Sequence, residues 1–240
     1  MKVESNMRDP SMDQTAAGLS TTHGIDGNVC ASQMEIRILR NLAKKVANLS
    51  SRPIEQEKTE LWTRHNDLEK TRPLIFCDPE NGWNEIIPQD KILCEKSLFR
   101  VWEMALRKEI FWAEEMQDDR VIEPYFNIPW HYQETGYGVN EEEKQEGGEK
   151  GSYKYICHIK DYEKDFYRLK YPEIIVDHKR TGEIRELAEN ILGDILQVRI
   201  KGVWWWTLGM TWDFIKIRGL ENLMTDILVY PEWILEFLSV

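Results

Sequence analysis

The sequence has no uninterrupted apolar run of about eighteen residues or more, the length that a membrane-crossing helix needs. Its first thirty residues also lack the apolar core of a signal peptide. These absences predict a protein that neither spans a membrane nor is exported, and hence a cytoplasmic one. Cysteine is sparse: Cys30, Cys77, Cys94 and Cys157 are scattered without a CxxC pair. That pattern is expected of reduced thiols rather than of a disulfide framework or a closed zinc knot. Positive charge is in deficit, with 31 Lys and Arg against 42 Asp and Glu and a net charge of −11. Affinity for a phosphate backbone rests on cationic neutralisation, so no nucleic-acid partner is expected. Gly136, Gly138, Gly147 and Gly148 are followed by no Lys-Ser/Thr pair and make no phosphate loop. No internal repeat is present, and no Ser/His/Asp or Cys/His triad can be argued.

What the 240 residues do contain, at 42% hydrophobic and 11% aromatic, suffices for one or two real cores. Residues 1–32 are rich in Ser, Thr, Asp, Gly and Asn without apolar period and read as a disordered tail, with Met34 a candidate true start. Ile36, Leu39, Leu42, Ala43 and Val46 recur at helical spacing and predict a helix from Gln33 to Leu49. A second helix is predicted from Ile54 to about Leu68, with Pro53 at its start. The apolar run Leu74-Ile75-Phe76-Cys77 reads as a strand buried on both faces. A long helix from about Asp90 to Met116 follows, and then a second strand within Val121 to Trp130. Gln133 to Gly151 is a Glu- and Gly-rich surface excursion. A short strand from Tyr153 precedes a helix capped by Asp161, and another helix spans Thr181 to Leu192 with Gly193 as its stop. Ile195 to Ile200 is the third strand, and helices from Asp213, Leu220 and Pro231 complete the sequence. Alternating strands and helices predict an α/β fold with parallel strands.

Four stretches resemble the uroporphyrinogen decarboxylase-like family, which groups that decarboxylase with corrinoid-dependent methyltransferases. They are Leu61-Trp62-Thr63-Arg64-His65-Asn66-Asp67-Leu68 with Arg72-Pro73-Leu74-Ile75, then Asp119 to Trp130, Leu169 to Asp177, and Gly219 to Met224 through Pro231-Glu232. Their order and spacing carry the resemblance, which covers about Gln33 to Val240. It implies a (β/α)8 TIM barrel whose site lies at the C-terminal ends of the strands. It also implies an incomplete barrel, its first half only. On that reading 1–32 is the tail, 33–72 an N-terminal helical extension, and 73–240 the partial barrel. The remaining strands would then come from a downstream chain.

The resemblance places functional candidates just after the strands. Asp78 and Glu80 are candidate catalytic groups, a general acid/base pair, and Trp83 lies beside them. The decarboxylase carries an Arg-rich motif there, suited to the carboxylates of a porphyrinogen, whereas Asp78 and Glu80 would repel them. Asn127 occupies the place of the decarboxylase's aspartate, and an amide cannot supply that negative charge. Both departures count against porphyrinogen decarboxylation, the first alternative, and favour the methyltransferase-like branch. Asn127 is then a substrate contact. Trp130, His131 and the run Trp204, Trp205, Trp206 are expected to bind substrate, the tryptophans as an aromatic wall. The expected partners are a small methylated substrate and a corrinoid or its carrier protein. The branch activates a thiol on zinc, with ligands expected in later strands. Cys157 and His158 are adjacent on a probable strand, so their side chains point to opposite faces, and no metal site is expected within this chain. A second alternative is a non-catalytic half-barrel that acts only when docked to a partner chain.

Overall fold

A computed structural model describes residues 30–79, 82–139, 143–145, 153–202 and 210–239. In chain order, the first helices are α1 (Gln33–Ser50), α2 (Pro53–Asn66), α3 (Trp83–Ile86) and α4 (Ser97–Phe111). Strands β1 (Tyr125–Pro129), β2 (Tyr132–Glu134), β3 (Glu143–Gln145) and β4 (Tyr153–Tyr155) follow. Then come α5 (Tyr162–Asp165), β5 (Ile174–Val176), α6 (His178–Leu192), β6 (Gln197–Lys201), α7 (Met210–Arg218), α8 (Leu220–Val229) and α9 (Pro231–Phe237). The fold is mixed helix and strand. The chain divides into two compact units, the first holding the described residues to His131 and again from Asp177 to Gly202. The second holds the described parts of 132–176 and 210–239.

In the first unit, α1 starts at a capping box: Ser32 accepts from the Glu35 amide while the Glu35 carboxylate accepts from the Ser32 amide. Its apolar stripe, Ile38, Leu39, Ala43 and Val46, packs into one core with α4 and α6. Arg40 grips Asp194 through both oxygens at 2.6 and 2.7 Å and also donates to the Ile191 carbonyl. On β1, Phe126 and Ile128 alternate inward, and the Trp102 ring of α4 meets Phe126 edge-on at 5.4 Å. Burying each such side chain contributes roughly 1.5–3 kcal/mol. β1 pairs in parallel with β6, Asn127 opposite Arg199, and α6 supplies the crossover between them.

Two predicted elements are corrected here. Leu74 to Cys77 is not a buried strand: it forms no sheet pairing, and Ile75 is 64% exposed. Side chains hold it instead. Asp119 accepts from the Ile75 amide at 2.8 Å, Asp118 accepts from the Cys77 amide at 2.9 Å, and the Trp112 indole donates to the Cys77 carbonyl at 2.9 Å. The helix predicted from Asp90 to Met116 is also broken. A 3-10 turn occupies Gln89–Lys91, the chain then leaves helical geometry, and α4 begins only at Ser97. The cause is capture of amides by buried carboxylates. Glu103 accepts from the Leu93 and Cys94 amides at 2.9 and 2.7 Å, and Glu35 from those of Glu95 and Lys96 at 3.3 and 3.1 Å. A π-helical turn, Trp112–Met116, continues α4 and stops at Gln117, whose φ is +51°.

The second unit leaves the chain after β1 and resumes after the β6 segment. Its strands pair antiparallel, β2 with β5 and β3 with β4. Asp161 caps α5 as the sequence predicts, accepting from the Glu163 amide. The core gathers Val139, Ile159, Tyr162, Phe214, Ile217, Leu223 and Phe237, with the Phe214 and Phe237 rings stacked at 4.0 Å. Beneath it Arg218 and Asp226 form a buried ion pair. Arg218 donates to both Asp226 oxygens at 2.6 and 3.1 Å, and the Tyr162 hydroxyl donates to Asp226 at 2.5 Å. Among the described residues, then, the expected succession of parallel strands reduces to one β-α-β crossover, and no strands close into a barrel.

Candidate functional site

β6 alternates in residue type, Val198 and Ile200 against Gln197, Arg199 and Lys201, and β1 alternates in burial. On β1, Phe126 and Ile128 are buried while Tyr125, Asn127 and Pro129 are half-buried on the other face. That second face carries a polar network. The Arg199 guanidinium donates to Asn127 Oδ1 at 2.6 Å and to Glu123 at 2.8 Å, and lies 3.9 Å over the Tyr125 ring. Asn127 therefore stands on the half-buried face of β1, with its amide oxygen already engaged. Arg199 was not singled out from the sequence. Its signal was there in the alternation Leu196, Val198, Ile200 against Gln197, Arg199, Lys201, which marks a strand with one polar face.

At the C-terminal end of β1 stand Trp130 and His131. In open parallel sheets this end is where ligand sites form. The His131 amide donates to the Thr181 hydroxyl at 3.0 Å, and its carbonyl accepts from the Asp177 amide at 2.8 Å. The strand end is thereby tied to the first turn of α6, whose cap Asp177 accepts from the Arg180 amide at 2.8 Å. The Trp130 ring meets His178 edge-on at 5.6 Å. Thr181 and His178 join this group as neighbours that spacing alone did not reveal.

Asp78 lies elsewhere, in the helical layer. Because no strand precedes it, it does not occupy a strand end. Its Oδ1 accepts from the Trp83 indole at 2.9 Å, so the structure does bring these two expected residues together. Trp83 is buried against Trp112 at 4.5 Å, and the Lys108 ammonium sits 5.2 Å over the Trp83 ring. Burial drives the Lys108 pKa down to about 8, against the opposing pull of Asp78 and Glu109. Sequence reasoning treated Lys108 only as part of a helix, since a buried lysine looks like any other charge on an amphipathic stripe. Asp78 with Trp83, Asn127 with Arg199, and Trp130 with His131 thus form three groups. Glu80 and the wall of Trp204, Trp205 and Trp206 lie outside the described residues.

In the second unit the Cys157 sulfur donates to the Ile159 carbonyl at 3.0 Å and lies 3.7 Å from the Arg218 guanidinium. His158 is tied through its amide to the Ile217 carbonyl at 2.9 Å. Among the described residues no three His, Cys, Asp or Glu side chains converge as a metal would require. No helix among them is long and apolar enough to cross a membrane. Comparison with known proteins finds no matching family model, no matching curated protein and no matching solved structure.

Proposed function

We propose that this chain is a uroporphyrinogen decarboxylase-like barrel protein of the methyltransferase-like branch, moving a methyl group between a small methylated substrate and a corrinoid or its carrier. One observation carries the reading. The parallel pair of β1 and β6, joined through α6, buries Phe126 and Ile128 in a core shared with helices and pairs Asn127 with Arg199 on its other face. A strand, a helix and a parallel strand in succession make the repeating unit of a (β/α)8 barrel, whose site lies at the C-terminal ends of the strands. In that setting Asn127 and Arg199 hold the polar part of the substrate, and Trp130 offers a flat apolar wall at the strand end. These roles are binding and orientation. The described residues assemble no zinc ligand set, so thiol activation is not assigned to them.

A second reading has its own support. Each strand of the β1–β6 pair has a partner on one side only among the described residues, and open edges invite pairing. A partner chain carrying further parallel strands would close the sheet there.

The test is consumption of methylcobalamin by the whole chain in the presence of a panel of small thiols, followed by its visible absorbance. Turnover that falls at least about tenfold in Asn127→Ala supports the first reading, a loss of about 1.4 kcal/mol in transition-state stabilisation. No turnover and no bound corrinoid in equilibrium dialysis sinks it. Turnover only with an added strand-bearing partner supports the second.

A further inference from the structure

The second unit carries an apolar surface that the proposed reaction does not use. On α8, Leu223 and Asp226 face the core, while Met224 is 65% exposed and Leu228 is 84% exposed. Leu220 and Ile227 are also exposed, and so is Leu235 of α9, at 69%. Leu220, Met224, Ile227 and Leu228 follow helical spacing, so they form one stripe rather than scattered contacts. Single exposed apolar residues need no explanation, but a contiguous stripe marks an interaction surface.

Charge decides what fits it. From Gly219 to Ser239 there is no Lys, Arg or His, whereas Glu221, Asp226, Glu232 and Glu236 are present. Asp226 is occupied by Arg218, whereas Glu232 and Glu236 are exposed and flank Leu235 on α9. A second copy of this chain docked symmetrically would set these glutamates against themselves, since a two-fold interface presents the same patch from both sides. Like charges held together at an interface are costly.

We propose that the α8–α9 surface is a docking site for a basic amphipathic helix of a partner protein. The partner's apolar row would seat on Leu220, Met224 and Leu228, and its Lys or Arg residues would meet Glu232 and Glu236. This is helix-in-groove recognition, with apolar anchors for affinity and charge for orientation.

The experiment uses the full chain and a fluorescein-labelled amphipathic peptide of Leu and Lys, about 18 residues long so that it can form a helix. A Leu and Glu peptide with the same apolar row is the control, and binding is read by fluorescence anisotropy. Saturable binding of the Leu/Lys peptide only is expected, weakened at least about tenfold by Met224→Glu with Leu228→Glu. That variant adds negative charge, so unspecific attraction of a cationic peptide would rise rather than fall. Both positions are exposed, and circular dichroism checks the fold. Glu232→Lys with Glu236→Lys is expected to weaken binding as well, and added salt to do the same. Binding that ignores both variants, or equal binding of the two peptides, overturns the proposal. So does a homodimer in light scattering that Met224→Glu with Leu228→Glu dissolves, because the surface would then belong to a second copy.

Discussion

The two units place carboxylates under their surfaces for opposite purposes. In the first, Glu35, Glu103 and Asp119 turn their oxygens to backbone amides of other segments, and so they dictate where the chain runs. In the second, Asp226 turns to side chains, Arg218 and Tyr162, and braces helices that are already formed. Burial works against the Asp226 charge, but the bonds from Arg218 and Tyr162 outweigh it and hold its carboxyl below the ordinary range. The difference predicts different failures. Removing a path-setting carboxylate frees a loop, whereas removing the brace strands a buried cation. Asp226→Ala is therefore expected to have the largest effect, about 3–5 kcal/mol, because Arg218 would be left buried and unpaired. Urea unfolding followed by tryptophan fluorescence measures it, and Tyr162→Phe should cost only about 1 kcal/mol. A loss in Asp226→Ala no larger than in Tyr162→Phe breaks the contrast.

Asp119→Ala comes next. It removes the acceptor of the Ile75 amide and both Arg72 contacts, and a charged hydrogen bond of this kind is worth about 1.5–3 kcal/mol. The loss should be local, with faster hydrogen exchange at Ile75 and proteolysis near Phe76 while α1 and α6 stay protected. The same contact gives an acid limit. Its bond to Arg72 holds the Asp119 carboxyl at about 2, below the ordinary 3.8. A depressed carboxyl stabilises the fold at pH above the ordinary value, and the contribution is lost as pH falls from there toward about 2. The protection factor at Ile75, its exchange corrected for the intrinsic pH dependence of amide exchange, should fall over that range in the native chain and show no such dependence in Asp119→Ala.

Lys108 sharpens the comparison from the basic side. Its pKa is lowered from 10.5 to about 8, so between these values the unfolded chain binds more protons than the folded one. Stability should rise with pH over that interval, by at most about 1.4 kcal/mol per pH unit. Below about 8 the buried charge opposes folding. Lys108→Met should flatten the rise, as read by the urea midpoint at pH 7, 8, 9 and 10. An unchanged slope would mean that Lys108 is not the group responsible.

The same carboxylates explain what could be read from the sequence. Elements whose signals are local were legible: α1 from its apolar spacing, α2 from Pro53, α6 from its period, and β1 and β6 from their apolar positions. The strand expected at Leu74 to Cys77 and the unbroken helix expected from Asp90 were not. In both places the amides are taken by carboxylates distant in sequence or facing back across a turn, Asp119 for Ile75 and Glu35 for Lys96. An apolar run or a helical period says which conformation a segment prefers, not which side chain elsewhere will claim its donors. The candidate site divides in the same way. Pairing of Asn127 with Arg199 depends on the register of two strands 72 residues apart, and the link from Asp78 to Trp83 on a local turn.

The smallest structural effect is expected where the proposed chemistry is strongest. Asn127→Ala removes one acceptor from Arg199, but that guanidinium keeps Glu123 at 2.8 Å and the Tyr125 ring at 3.9 Å. The face is only half-buried, so water can replace the lost oxygen, and the urea midpoint should fall by less than about 1 kcal/mol. Under the proposed function methyl transfer should fall far more, because a group that binds substrate on a strand face contributes little to folding and much to turnover. Arg199→Lys separates the two further: it keeps the charge and loses the planar fork that reaches Asn127 and Glu123 together. If Asn127→Ala instead unfolded as readily as Asp226→Ala, the network would be a brace like the one in the second unit, and the strand face would lose its claim to a substrate.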